Sequence, residues 1–120
     1  MTEGANLRRD PVTAVENVDG TYIIRLAGEL DLYNAVGVRE ALFKASNDSP
    51  TRIVVDLSEV DFIDSTTLGV LIEARTMLTN RNAFMLAAPV LETRRALQIS
   101  GLDRHFAVHD TVDDALKSQL

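Results

Sequence analysis

The segment RIVVDL, Arg52–Leu57, combines β-branched residues without a clear alternation of apolar and polar positions. Such a pattern fits a strand whose two faces are both covered, as they are in parallel sheets with helices packed on them. NAFMLAA at 82–88 and HFAVHD at 105–110 are predicted as the next strands, and helical segments separate all three. Parallel strands need such crossovers, so the pattern predicts βα alternation.

The beginning of the chain is predicted to form a hairpin instead. Asp19-Gly20 separates two β-rich runs, at 11–17 and 21–28, and Asp-Gly is typical of two-residue hairpin turns. Helical periodicity follows at about 31–46, 65–79, 89–100 and 111–120. The order β-β-α-β-α-β-α-β-α predicts an α/β fold: a mixed sheet of about four to five strands with about four helices.

Several residues indicate where the helices lie and which face they bury. Pro89 is predicted in the first turn of the third helix and Gly101 at its end. The helix that begins near Ser65 is predicted to bury Leu68, Leu71 and Ile72.

The composition excludes several functional classes. The chain has 120 residues, no cysteine and two histidines, so we predict neither a metal site nor a cofactor. A net charge of −6 argues against nucleic-acid binding. No apolar run approaches the ~20 residues that span a bilayer, and no signal-peptide core is present. We therefore expect no direct membrane insertion and a cytoplasmic location.

Hydroxyl side chains cluster behind an acid where the second helix begins, in Asp64-Ser65-Thr66-Thr67. Asp64 is predicted to cap this helix by accepting a hydrogen bond from the amide of Thr66 or Thr67. Ser65 would then direct its hydroxyl outward at the positive end of the helix dipole, where a phosphate is favoured. For these residues taken alone, plain helix capping is the simpler interpretation.

Three longer segments identify a family. LAGELDLYNA, IVVDLSEVDFIDSTTLGVL and ISGLDRHFAVHDTVDDAL together resemble the STAS domain family, and most of all its bacterial anti-sigma factor antagonists. The resemblance extends from about Pro11 to Leu116. It implies a STAS domain at 10–120, preceded by a flexible N-terminal tail at 1–9.

The resemblance also implies a regulatory site. The family's phosphorylated serine falls on Ser65, the acid before it on Asp64 and the second hydroxyl on Thr66. Asp31, the acid of the GELD turn, is expected near Ser65, and Gly69 is expected at the partner-binding surface. The protein would accordingly be a phosphoprotein that regulates transcription.

Thr67 departs from the family pattern, because many members have glycine at this position. A β-branched side chain there stands beside the phosphorylation site, where glycine would permit close backbone approach. Thr66 and Thr67 are therefore alternative phosphate acceptors to Ser65.

The function implied by the resemblance is partner switching. The unphosphorylated protein would bind an anti-sigma factor and so release a sigma factor. The anti-sigma factor, itself a serine kinase, would end the complex by phosphorylating Ser65, and a serine phosphatase would restore it. The alternative within the family is a STAS subunit of a larger assembly, either a stress-sensing complex or a membrane transport system, that acts as a protein-binding module.

Two other classes fit the sequence less well. Asp56 ends a strand, like the phosphate acceptor of a receiver domain, but that fold does not begin with a hairpin. A hydrolase built on Ser65 would need His105 or His109 as its base, and no G-x-S-x-G motif surrounds the serine. We therefore predict a protein without enzymatic activity.

Overall fold

One five-stranded sheet, in the order β1-β2-β3-β4-β5, organises the computed structural model, which describes residues 10–120. The flexible tail predicted at 1–9 lies outside the described residues. The strands are β1 (Val12–Val18), β2 (Thr21–Leu30), β3 (Arg52–Ile63), β4 (Phe84–Ala87) and β5 (Ala107–His109). The helices are α1 (Ala35–Ser46), α2 (Ser65–Thr76), α3 (Leu91–Ser100) and α4 (Val112–Lys117). The predicted order of elements and the mixed α/β sheet are confirmed.

The directions of the strands follow from their connections. β1 and β2 are antiparallel and meet at Asp19-Gly20, whereas β2, β3, β4 and β5 are all parallel. Asp19 and Gly20 both have positive φ, 53° and 87°, as a tight hairpin turn of the predicted kind requires. The hairpin thus supplies one antiparallel edge to an otherwise parallel sheet.

The central strand β3 is covered on both faces in its first half. Residues 53–57 are all buried, with at most 5% exposure. Ile53, Val55 and Leu57 pack into the main core with α1, α2 and α3, while Val54 packs with Ala115 of α4 on the opposite face. The prediction of two covered faces is therefore confirmed, and it explains the missing alternation.

The second half of β3 extends beyond β4. β4 pairs with β3 at residues 53–56, whereas β2 pairs with β3 as far as Leu30 and Ile63. Helix α3 packs beside this two-stranded extension, where the hydroxyl of Thr93 donates to the carbonyl of Val60 at 3.2 Å. The extension carries the start of α2 beyond the end of β4.

The buried face of α2 includes two of the three residues predicted for it. Leu68 and Leu71 are buried as expected, together with Thr67, Val70 and Ala74, but Ile72 is 41% exposed. Successive residues of an α-helix are about 100° apart, so a face centred near Leu71 turns Ile72 toward its edge. The assignment of Ile72 to the core was wrong.

The ends of the other helices follow local signals with one exception. Pro89 precedes the N-cap Val90 and so lies outside α3, although it was predicted in the first turn. Gly101 ends α3 with φ of 79°, as predicted. None of the helices within residues 10–120 has the length and apolar character that crossing a membrane requires.

The core assignment on α2 can be tested by two neighbouring truncations. Leu71→Ala removes a fully buried side chain and should lower the free energy of unfolding by about 2–5 kcal/mol. Ile72→Ala, the matched control one residue further, should lower it by less than about 1 kcal/mol. Urea titration of both variants gives the comparison, and equal losses would contradict the assignment.

Candidate functional site

The carboxylate of Asp64 joins two loops at the carboxyl ends of β2 and β3. One oxygen, Oδ1, accepts the amide of Thr67 at 3.0 Å and so caps α2, as predicted. The other, Oδ2, accepts the amide of Leu32 at 3.1 Å. The Asp64 amide itself donates to the carbonyl of Leu30 at 3.0 Å. Asp64 therefore fixes the start of α2 against the loop that leads into α1.

The position of Asp31 follows from these contacts. Its chain neighbours, Leu30 and Leu32, both bond to Asp64, the residue directly before Ser65. Asp31 thus lies in the segment adjoining the start of α2. The carboxylate of Asp31 accepts the amide of Tyr33 at 2.9 Å, which is a local turn contact.

Asn34 is a residue of this loop that the sequence analysis missed. Its side-chain oxygen accepts the amide of Asp31 at 2.9 Å, and its side-chain nitrogen donates to the carbonyl of Glu29 at 2.8 Å. These bonds close the loop between β2 and α1. The available signal was an asparagine directly before a helical stripe, a position where such side chains bond to nearby backbone groups.

The three hydroxyl residues of α2 differ in accessibility. Ser65 and Thr66 are exposed, whereas Thr67 is 0% exposed. The hydroxyl oxygen of Thr67 has no hydrogen-bond partner within residues 10–120. Ser65 and Thr66 are therefore accessible from solvent in this conformation and Thr67 is not, while the identity of the phosphate acceptor stays a prediction.

Exposed apolar side chains surround this site. Leu32, Tyr33 and Val36 precede and begin α1, and Tyr33 is 72% exposed. The Arg39–Glu73 ion pair, with Nε to Oε1 at 3.2 Å, joins α1 to α2.

Val36 lies one helical turn before Arg39 on α1, and Gly69 lies one helical turn before Glu73 on α2. The apolar start of α1 therefore borders the exposed face of α2. We call this region the α1–α2 surface; it comprises Leu32, Tyr33, Val36, Ser65, Thr66, Gly69 and Ile72.

Gly69 leaves open space at the centre of the α1–α2 surface. Within the described residues, a Cβ atom added to Gly69 would meet no atom within 4 Å apart from its chain neighbours and the nearby backbone of α2. Nothing among residues 10–120 therefore requires glycine at this position, although glycine disfavours a helix by about 0.5–1 kcal/mol relative to alanine. Close approach of a partner to the α2 backbone would explain a glycine at this position.

Asp56 has a structural role. Its side chain accepts from Arg25 Nη1 at 2.6 Å and from the amide of Ser58 at 3.0 Å, and it is 5% exposed. Glu16 and Asp56 together raise the pKa of the Arg25 guanidinium, Glu16 having the larger effect. Asp56 lies within β3, not at a strand end as its position after RIVV suggested, and its carboxylate bonds to Arg25 of β2 and to the amide of Ser58 in its own strand.

The described residues offer no catalytic arrangement around Ser65. Neither His105 nor His109 forms a hydrogen bond with Ser65 within residues 10–120. Among the same residues, no cluster of three potential metal ligands occurs. Among these residues, the site combines the exposed hydroxyls of Ser65 and Thr66 with exposed apolar side chains.

Comparison with known proteins agrees with this description. The STAS domain model matches residues 13–115. The anti-sigma-F factor antagonist RsfB of Mycobacterium tuberculosis is 33% identical over 108 residues, which are 89% of this chain and 88% of that protein. The crystal structure of an anti-sigma factor antagonist from Mycobacterium paratuberculosis superposes with a TM-score of 0.82 at 34% identity, covering 91% of this chain and 94% of the other.

A third relative is a phosphorylated protein. The structure of the Bacillus cell fate determinant SpoIIAA in its phosphorylated form matches with a TM-score of 0.65 at 26% identity, covering 86% of this chain and 95% of that one. The fold and the exposed, acid-capped helix start thus define a small regulatory binding domain. The chain belongs to the STAS domain family.

The bridging role of Asp64 predicts a measurable cost when its carboxylate is removed. Asp64→Ala leaves the amides of Thr67 and Leu32 without their acceptor and should lower the free energy of unfolding by about 1–2 kcal/mol. Thr66→Ala, an exposed neighbour, serves as the control and should change it by less than about 0.5 kcal/mol. If chemical denaturation gives the same midpoint for both variants, the carboxylate does not hold the site together.

Proposed function

We propose that this STAS domain is an anti-sigma factor antagonist, and that phosphorylation of Ser65 controls its binding to an anti-sigma factor. The observation that carries the proposal is the position of Ser65: exposed, directly behind the capping carboxylate, and within the apolar α1–α2 surface. Antagonists of anti-sigma factors among the relatives support the same assignment.

The α1–α2 surface suits a protein partner. Leu32, Tyr33 and Val36 are all more than half exposed and lie together at the start of α1. Exposed apolar groups grouped in this way mark interaction sites. The hydrogen bonds of Asp64 to both loops preorganise the surface, which lowers the entropic cost of binding.

Phosphorylation would oppose this binding by electrostatics. A phosphate on Ser65 adds about −1.5 to −2 charges at neutral pH, next to Asp64 and in a chain of net charge −6. When a partner covers the α1–α2 surface, that charge loses its water in an apolar contact. The helix start itself tolerates the phosphate, because its dipole favours negative charge.

The partners follow from this mechanism. The anti-sigma factor acts as the serine kinase that phosphorylates Ser65, and a serine phosphatase reverses the reaction. The cycle takes place in the cytoplasm, where the sigma factor acts. The domain itself is a binding module and a kinase substrate, without catalytic activity, cofactor or nucleic-acid ligand.

Substitutions at Ser65 test the switch. Ser65→Ala removes the acceptor oxygen and should stay bound to the anti-sigma factor in the presence of ATP. Ser65→Asp adds one charge and should weaken binding by about 1–3 kcal/mol, or about one to two decades in affinity. Calorimetric titration against the anti-sigma factor measures both, and wild-type affinity for Ser65→Asp would refute the switch.

Two controls separate the hydroxyls. Thr66→Ala and Thr67→Ala should both accept one phosphate, detected as a mass increase on incubation with kinase and ATP. If phosphate still appears on Ser65→Ala, the acceptor is Thr66, the other exposed hydroxyl of the helix start.

Gly69 provides a test of the docking position that is independent of charge. Gly69→Ala should raise the free energy of unfolding by about 0.5–1 kcal/mol, because the added methyl group meets open space and favours the helix. The same methyl group should weaken anti-sigma factor binding at least about fivefold if the partner contacts this part of α2. A variant that is stabilised and binds with unchanged affinity would place the interface elsewhere.

A further inference from the structure

β1 is an edge strand, and its unpaired backbone groups can be assigned to particular residues. Within residues 10–120, β1 pairs with β2 alone, through a two-residue turn in which Asp19 and Gly20 both have positive φ. The residues flanking such a turn form a hydrogen-bonded pair, here Val18 with Thr21, and pairs alternate from there. Val15, three residues before Val18, therefore directs its N–H and C=O away from β2.

The sequence of β1 is self-complementary about Val15. In an antiparallel pairing of two β1 strands centred there, Val15 meets its own copy as a hydrogen-bonded pair. Glu16 then stands opposite Ala14 of the other strand, so no like charges meet. The carboxylate of Glu16 also remains paired with Arg25 of its own chain, at 2.9 Å. A bulge at Thr13 restricts the regular part of this pairing to the residues around Val15.

A groove between β1 and α1 adjoins the same edge. It encloses about 360 Å³, and its apolar lining consists of Val12, Val15, Tyr22, Gly37, Ala41 and Ala45. Gly37 and Ala41 are one helical turn apart, but Pro11 of the same chain packs against Gly37, so Ala41 is the small residue that α1 presents toward the edge. A second helix lying on the far side of the edge could approach α1 closely at Ala41.

Charged residues on the rim of the groove are also self-complementary. Glu40 and Lys44 both line it, and neither belongs to an ion pair within residues 10–120. A twofold axis through Val15 reverses the direction of α1 in the second copy. With the middle of the segment 40–44 placed at the axis, Glu40 of one copy comes opposite Lys44 of the other, and the pair occurs twice.

We propose that this chain forms a twofold homodimer by antiparallel pairing of β1 with β1 about Val15, which joins two five-stranded sheets into one. The two α1 helices lie on the same face and contact each other near Ala41. Helix α2 connects β3 to β4, away from this edge, so Ser65 stays accessible in both copies. The inference stands independently of the proposed function.

Sedimentation velocity of the full chain, from low micromolar to millimolar concentration, tests the dimer. The expected result is a concentration-dependent monomer–dimer equilibrium. Val15→Lys places a charge at the dyad and should weaken dimerisation at least about tenfold. Ile99→Lys, the same type of change at an 88% exposed residue on α3, is the control and should leave dimerisation unchanged. Thermal melting verifies that both variants are folded.

A charge exchange tests the contact between the helices without altering β1. Glu40→Lys and Lys44→Glu should each weaken dimerisation, because each creates two like-charge contacts, and the double variant should restore it. A monomer at every concentration, a dimer indifferent to Val15→Lys, or a double variant as weak as the single ones would each overturn the proposal. Pairing of β1 with another protein, by a chain that remains monomeric alone, would overturn it as well.

Discussion

The carboxylate of Asp64 accepts one hydrogen bond from α2 and one from the loop before α1, and the geometry of the site depends on this pair of bonds. The strand extension of β2 and β3 brings the two loops together, because Leu30 and Ile63 are still in register at its end. A side chain that both begins a helix and ties a neighbouring loop prevents either from moving alone. The apolar residues at the start of α1 and the hydroxyl of Ser65 are thereby presented as one preformed surface, which is what a reversible protein contact requires.

The helix geometry behind Asp64 separates three adjacent hydroxyl residues into two exposed and one buried. With about 100° between successive residues, Ser65 and Thr66 face solvent while Thr67 points into the core. The methyl group of Thr67 gains from this burial, but its hydroxyl, without a partner in the described chain, opposes it by about 1–3 kcal/mol. A glycine at this position would avoid that cost but leave the space empty. The side chain of Thr67 therefore affects the packing beneath the site and leaves the exposed hydroxyls in place.

The sequence predicted the order of elements, the Asp64 cap and the end of α3 at Gly101, because each depends on contacts between residues close in the chain or on a strong hydrophobic period. The prediction failed for Ile72. The apolar residues Leu68, Leu71 and Ile72 allow two rotations of α2 about its axis, and packing on the sheet selects the rotation that exposes Ile72. The full length of β3 was not predicted because it depends on pairing with β2. The bonds of Asn34 were not predicted because they depend on the turn at Asp31. Whether Ser65 is phosphorylated remains a prediction, because accessibility permits the reaction without requiring it.

Helix α1 takes part in both proposed surfaces, and its sequence is divided accordingly. Its buried stripe of Ala35, Val38, Leu42 and Ala45 packs on the sheet. On one side of this stripe, Val36 and Arg39 border α2; on the other, Gly37 and Ala41 border β1. Adjacent residues therefore serve opposite sides of one helix, as a period of 3.6 residues per turn dictates. Because four buried apolar side chains anchor α1 on the sheet, we expect that a contact at the β1 edge does not displace the α1–α2 surface. A dimer would present two independent binding sites, and any coupling between them would require a movement of α1 that its packing opposes.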